Sequence, residues 1–302
     1  MDYNRSPGID LHIHSTASDG THTPLEILSR AHALGLAAVS ITDHDTVAGC
    51  AEALGAGLLP EGLAFLTGVE ISTAPPRFFP LSGSIHMLGY GIALDNPRLN
   101  AILAHLRDSR LQRNPRIIAR LTALGMEISL EEVVRSSGSP DQVGRPHIAQ
   151  TMVKKGFSPN FNAAFDTYLG NGRPAYVDKY RVPFDEATSA IRDAGGVSVI
   201  AHPGLYSAQN GLMSDATMAA FKTAGVDGVE VFYPEHSDRE TAHYAALAER
   251  HGLLKTGGTD FHGGMKPDVD LGSGYGDLHV PAVLYTRLLD AVAKRARHAG
   301  NA

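Results

Sequence analysis

The chain has almost no cysteine and nothing that could sit in a bilayer, and both absences narrow its class. Cys50 is the only cysteine in 302 residues, so no intramolecular disulfide can form, which fits a reducing compartment. No apolar run approaches the roughly 20 residues that span a membrane. The start, Met1-Asp2-Tyr3-Asn4-Arg5, lacks the apolar core of a secretory signal. A cytoplasmic location is the expectation. Long basic runs are missing and the net charge is −6, which argues against a broad non-specific nucleic-acid surface. A small anionic ligand stays open, because bound cations can dominate a local field. No repeat of about 20–50 residues suggests a solenoid. Nothing points to an obligate protein partner.

Histidine is in excess, and its placement is the strongest signal. In Ile9-Asp10-Leu11-His12-Ile13-His14 the apolar residues alternate with polar ones, the signature of a strand with one apolar face. His12 and His14 then project from one face at the end of that strand. Further along, Ala37 to Thr42 is a strand ending at Asp43-His44-Asp45. Phe65 to Thr73 contains Glu70, and Ser84 to Gly91 contains His86. Val197 to Ala201 ends at His202-Pro203, Val226 to Phe232 is another strand, and Leu253 to Thr256 leads into Gly257-Gly258-Thr259-Asp260-Phe261-His262.

Helices alternate with these strands. Thr23-Pro24-Leu25-Glu26 is a capping box with proline at the first helical position, and that helix should stop at Gly35. Phe184 to Ala194, Asp215 to Ala224 and Ser237 to Arg250 are the later ones. Alternating strands and helices predict a mostly parallel α/β sheet, open or closed into a barrel. From Pro97 to Gly172 only helical periods occur. Leu99 to Gly125 carries a long amphipathic pattern with an expected break near Asn114-Pro115. Shorter helices follow at Ser129 to Arg135, Pro146 to Lys155 and Asn162 to Leu169. The basic face of Arg110 to Arg120 is expected to be solvent-exposed. The segment reads as a helical insertion over the sheet's C-terminal edge.

Sites in parallel α/β folds form at the carboxyl ends of strands. His12, His14, Asp19, His44, Glu70, His86, His202, Asp260 and His262 can therefore meet in one cleft. Imidazole plus carboxylate without thiolate suits zinc, manganese or iron(II), and is unlike the all-oxygen sets of calcium or magnesium. Nine candidates are too many for one ion, so two or three ions sharing a carboxylate is the economical expectation. His22, His32, His105, His236, His243, His251, His279 and His298 lack a strand-end context, and most of them are expected in solvent. Gly257-Gly258 is expected to be a tight turn that brings Asp260 close.

Asp10-Leu11-His12-Ile13-His14, Ser18-Asp19-Gly20, Thr42-Asp43-His44-Asp45, Gly68-Val69-Glu70-Ile71-Ser72, Ala201-His202-Pro203 and Thr259-Asp260-Phe261-His262 resemble, in order and spacing, the motifs of the PHP (polymerase and histidinol phosphatase) metallophosphoesterases. The resemblance spans nearly the whole chain. It is closest to the branch that removes the 3′-phosphate of nucleoside 3′,5′-bisphosphates and trims short RNA or DNA from the 5′ end. That branch has a helical insert and a string like Gly144-Arg145-Pro146-His147.

The resemblance implies a distorted (β/α)7 barrel, residues 1–96 and 176–302, with a mainly helical, substrate-capping insertion at 97–175. It implies a trinuclear site. His12, His14, Glu70 and Asp260 would hold one ion. Glu70 would bridge to a second, completed by His86 and His202. Asp19, His44 and His262 would hold a third. Manganese is the expected metal, with zinc or iron as alternatives. A hydroxide between two ions would attack the phosphorus.

Asp43 and Asp45 are expected to orient His44. His202 or His262 is the candidate proton donor, though a tightly held imidazole donates poorly. Arg145 and His147 should face the cleft and bind a second phosphate, with Lys179 or Arg181 adding to that pocket. The expected substrate is a nucleotide, and short single-stranded oligonucleotides are a further one. Two other readings are a small-metabolite phosphatase such as a histidinol-phosphate phosphatase, against which the insert argues, and a non-catalytic metal-binding regulatory module, against which the full ligand set argues.

Overall fold

The computed structural model describes residues 8–57, 59–81, 83–137, 143–207 and 211–299. Residues 1–7 and the side chain of His298 lie outside them. Seven strands form one sheet in chain order: β1 (Ile9–Ile13), β2 (Ala38–Ile41), β3 (Ala64–Thr73), β4 (Ile85–Tyr90), β5 (Val197–Ile200), β6 (Gly228–Phe232) and β7 (Leu254–Gly257). Neighbours run parallel except β4, which is antiparallel to both β3 and β5. Beyond β7 the chain returns to β1. The amide of His14 donates to the Phe261 carbonyl at 2.9 Å, and that of Asp260 to the His12 carbonyl at 2.8 Å. The sheet thereby curls into a distorted α/β barrel. Every residue of β1 and β2 is buried, as expected for parallel strands covered on both faces.

Helix α1 (Pro24–Ala33) begins with the reciprocal Thr23–Glu26 box. Its end is followed by Gly35 at φ 70°, a left-handed position that glycine adopts without strain. Helix α2 (Ala48–Gly55) was not expected. Its sequence, AGCAEALG, is small and apolar with no periodic polar face, and it packs through Cys50 and Ala53. Between β4 and β5 lie α3 (Pro97–Ala123), α4 (Leu130–Ser137), α5 (Arg145–Lys154) and α6 (Phe161–Ala164), the last running into a π-helical turn at Phe165–Leu169. Helices α7 (Phe184–Asp193), α8 (Asp215–Thr223), α9 (Asp238–Arg250) and α10 (Val283–Ala299) complete the barrel's outer layer.

The expected break at Asn114-Pro115 does not occur. Proline inside a helix costs about 3 kcal/mol, yet α3 continues because both of its halves are anchored. Leu99, Leu103 and Leu106 belong to the hydrophobic cluster that includes Val69 and Ile191. Ile117 and Leu121 belong to a second cluster with Val133, Ile148 and Leu169. Each such burial contributes about 1.5–3 kcal/mol, enough together to outweigh the proline. Leu111, whose carbonyl loses its partner to Pro115, lies on the exposed side, where water can serve it.

The expectation of an exposed basic face also fails for part of this helix. Arg110 and Arg113 are buried, because they continue the inward stripe of Leu103, Leu106, Ile117 and Leu121 at spacings of three and four.

Candidate active site

All nine expected ligand side chains reach one end of the barrel. His12 and His14 close β1, His44 follows β2, His202 follows β5, and Asp260 and His262 follow β7. His86 comes from the beginning of β4, not its end, because this strand runs backwards. Asp19 sits on the loop after β1. Asp45, His202 and Asp260 are the non-glycine residues with positive φ among those described. Such backbone costs about 1–3 kcal/mol each and collects where surroundings enforce a functional geometry.

Glu70 is the hub. Its Oε2 lies 3.5 Å from His12 Nε2, 3.2 Å from His14 Nε2 and 2.8 Å from His44 Nδ1. Its Oε1 lies 2.9 Å from His86 Nδ1 and 3.0 Å from His202 Nε2. Asp260 Oδ1 approaches His14 Nε2 at 3.1 Å and His12 Nε2 at 3.5 Å. Asp19 Oδ1 is 3.3 Å from His262 Nε2, and Asp19 Oδ2 is 3.9 Å from His44 Nε2. Three groups can each hold a cation: His12, His14 and Asp260; His44, Glu70 and His86; and His14, Asp19, His44 and His262. They share His14 and His44, so they form one continuous cluster.

The chemistry of these atoms fits metal. Buried polar atoms are almost always hydrogen-bonded. Here His12 Nε2, His14 Nε2, Asp19 Oδ1, His44 Nδ1, Glu70 Oε2 and His202 Nδ1 have no hydrogen-bond partner, and all but the last aim at the centre of the cluster. The far nitrogens fix the tautomers. Glu230 can only accept, so His12 Nδ1 donates to it at 3.0 Å and Nε2 keeps its lone pair for a cation. His262 Nδ1 donates to the Asp260 carbonyl at 2.7 Å, which frees Nε2 in the same way.

Several supports were not visible in the sequence reading. Glu230 takes the His12 proton on one oxygen and accepts the His202 amide on the other at 2.7 Å. A fully buried glutamate inside Val229-Glu230-Val231 was the signal that could have revealed it. Asp10 accepts from the Thr259 amide and hydroxyl and from the Gly272 amide. Its burial pushes the carboxyl up to about 6 despite those bonds. Asp260 Oδ2 is held by the Tyr233 hydroxyl at 3.1 Å and Lys266 Nζ at 2.6 Å, which turns Oδ1 to the cluster. Gly258 is needed for close approach and not for a turn: a Cβ there would come 2.3 Å from the His12 nitrogen.

Glu230→Gln keeps the shape and removes the charge behind His12. We expect metal affinity to fall about 10–100-fold, the usual size for such partners, with the unfolding temperature of the metal-free protein little changed. Calorimetric titration with Mn²⁺ measures it.

Asp43 and His147 lie elsewhere than expected. The Asp43 carboxylate accepts from the Ser15 amide and hydroxyl at 2.7 Å and from the Ser18 hydroxyl at 2.6 Å. It therefore braces the loop carrying Asp19, and does not bond to His44. His147 Nδ1 accepts from the Gly144 amide at 3.0 Å. The ring is buried and caps the start of α5, which leaves Arg145 as the charged member of that string on the cleft wall, beside Gly144 and Pro146.

Beside the cluster, the same cleft is lined by Arg110, Arg113, Arg145 and Lys179 with Ser72, Ser84 and Phe165. Asp45 lies beneath, paired with Arg110 and 3.7 Å from Lys179. Although burial opposes its charge, those two cations hold its carboxyl down at about 2. Burial, with Arg110, Arg113 and Arg145 nearby, pushes Lys179 down to about 7 against the pull of Asp45. Burial and the same crowding bring Arg113 to about 9, and its Nε has no partner. Four basic side chains against Asp45 and the bordering Asp19 give this side of the cleft a surplus of positive groups that suits an anion. Arg145 stacks near Phe165 and Tyr176, with its carbon 5.7 and 5.6 Å from the ring centroids. Arg181 is committed to Asp178 at 2.6 Å and Ser84 at 2.9 Å.

A barrel end with convergent imidazoles and carboxylates beside an anion pocket defines a metal-dependent hydrolase of phosphate esters. The chain belongs to the PHP family: the PHP domain pattern matches residues 10–156, and curated relatives match far beyond it. A 3′,5′-nucleoside bisphosphate phosphatase of Chromobacterium violaceum is 36% identical over 264 residues, covering 87% of this chain and 90% of that one. The 5′-3′ exoribonuclease Rnm of Escherichia coli is 34% identical over 263 residues, covering 86% and 87%. A solved structure from Bifidobacterium adolescentis, described as a metal-dependent phosphoesterase, superposes with a TM-score of 0.83 at 32% identity, covering 95% of this chain and 97% of that one. No helix among the described residues is long and apolar enough to cross a membrane.

Proposed function

We propose that the protein removes the 3′-phosphate of nucleoside 3′,5′-bisphosphates and trims short 5′-phosphorylated oligonucleotides by the same reaction. The observation that carries this is the pairing of two anion-binding places in one cleft. His44, His86 and Asp19 line both the ligand cluster and the cationic pocket, so a molecule with two phosphates can occupy both.

In this reading His12, His14, Asp19, His44, Glu70, His86, His202, Asp260 and His262 hold two or three divalent cations. Manganese is foremost, with zinc or iron as alternatives; when bound, these supply Lewis acidity and lower the pKa of water. His202 and His262 direct ring nitrogens to Glu70 and Asp19, and so act as ligands more than as proton donors. Arg145 and Lys179, with Arg110 and Arg113, hold the phosphate that is not attacked, and Arg145 suits a two-pronged contact. The helices of 97–175 serve as the capping unit that excludes bulk water. A single cysteine, Cys50, with no partner for an intramolecular disulfide, suits a reducing cytoplasmic setting.

The test measures, with Mn²⁺, phosphate release from adenosine 3′,5′-bisphosphate, adenosine monophosphates and histidinol phosphate, and release of nucleoside 5′-monophosphate from a 5′-phosphorylated oligonucleotide. Turnover of the bisphosphate and the oligonucleotide, with histidinol phosphate spared, is expected. Preference for histidinol phosphate would overturn the reading. Arg145→Ala should raise KM for the bisphosphate about tenfold or more, the loss of one charge-assisted pair, and raise it less for a monophosphate. Equal changes would remove Arg145 from the anchor.

A further inference from the structure

Across the ligand cluster, in a part that shares Pro146 and Phe165 with the arginine-lined pocket, the cleft changes character. It opens into a space of about 220 Å³ bordered by Pro146, Phe161, Phe165, Leu205 and Met265, with the ligand side chains as its other wall. Lys266 is the cation in its lining, and it is spoken for by Asp260 at 2.6 Å. Leu205 is 42% exposed, a bare leucine at the edge of a polar site. Two of these residues are placed by the ligands themselves. Leu205 lies on the 3-10 turn Pro203–Tyr206, which starts at His202, and Met265 lies on the turn Gly263–Met265, which starts at His262. Phe161 faces them from α6 and packs on Phe165, with ring centroids 5.1 Å apart.

We propose that this apolar slot seats the nucleoside downstream of the scissile phosphate, and that it thereby sets the balance between oligonucleotide trimming and simple dephosphorylation. The inference rests on the bisphosphate reading above. In a 3′,5′-bisphosphate, water attacks the 3′ phosphorus, the P–O3′ bond breaks, O3′ leaves with a proton, and inorganic phosphate is freed. In a 5′-phosphorylated dinucleotide the same bond breaks at the same phosphorus. The phosphate keeps its ester to the downstream 5′ oxygen, giving a nucleoside 5′-monophosphate and a 5′-phosphorylated nucleoside. Both reactions use the arginine pocket for the 5′-phosphate. Only the second has a further group to place, and the space left for it is apolar and without a free cation. That suits the π-face of a base and not another phosphate, since stacking on an aromatic ring tolerates any base.

The test compares kcat/KM for adenosine 3′,5′-bisphosphate, a 5′-phosphorylated dinucleotide, and the same dinucleotide with its downstream residue abasic. The wild-type enzyme should favour the intact dinucleotide over the abasic one by about tenfold, the size of one base–aromatic stack. Leu205→Asp, at an exposed position that tolerates change, and Phe161→Ala should each lower the dinucleotide rate at least fivefold more than the bisphosphate rate. Parallel losses on the two substrates, or no discrimination against the abasic dinucleotide, would overturn the slot. So would cleavage of the bisphosphate with neither dinucleotide touched. Failure to release phosphate from the bisphosphate would instead sink the underlying reading.

Discussion

Glu70→Ala and Glu70→Gln are expected to reduce phosphate release by at least about a thousandfold and to strip the protein of most of its bound metal. The reason is geometric. One buried carboxylate lies within 3.5 Å of five imidazoles, and those five include rings from all three possible cation groups. Taking it away leaves those rings buried without the charge that balances them, which is far costlier than losing an exposed ion pair. It also removes the link that would let two cations share one ligand. Glutamine preserves volume and separates the charge effect from packing. Metal content by mass spectrometry, beside phosphate release, checks the prediction. A Glu70→Gln protein with full metal content and more than a tenth of the activity would refute it.

Removing the metal should abolish turnover, and restoring it should release protons. In the metal-free protein, burial opposes charge on His14, but Asp260 and Glu70 outweigh it and raise the ring from 6.5 to about 9. His12 is raised well above its ordinary value by Glu230, Asp260 and Glu70 against the same burial. Both rings therefore carry protons at neutral pH, and a cation has to displace them.

The sign follows. A raised imidazole stabilises the metal-free fold fully below about pH 6.5, and that contribution is lost as pH rises through about 9. Metal affinity moves the other way and increases over the same interval. The metal-free protein should thus melt at a lower temperature at pH 9 than at pH 6.5, while the manganese form should gain relative to it. Titration heats at pH 7 should depend on the ionisation enthalpy of the buffer. Heats identical in PIPES and Tris would contradict proton displacement.

What the sequence made legible was the set of strand ends. Alternation in Ile9 to His14 and the apolar runs before His44, His202 and Asp260 are local patterns, and local patterns survive without knowledge of the fold. The PHP motifs then ordered them. Groups that act at one remove were harder to see. Glu230 acquires its meaning only from His12, 218 residues away. Asp43 looked like a partner of its neighbour His44, but the turn faces it toward Ser15. His147 looked like a cleft residue, but position three of a helix bends it back to the cap. Basic character alone places Arg110 and Arg113 in solvent, yet both are buried. Their spacing with Leu106 and Ile117 put them on the buried stripe, and periodicity was the better guide than charge. The direction of β4 was hidden too, since alternation is the same read either way.

The uninterrupted α3 carries one more implication. A single rod is gripped at one end by the core between the sheet and its outer helices and at the other by the core of the inserted helices. Tilting those helices about this shaft would bend it or tear leucines out of one grip. The two hydrophobic cores are thereby joined by one continuous shaft, so that loosening either of them is felt in the other.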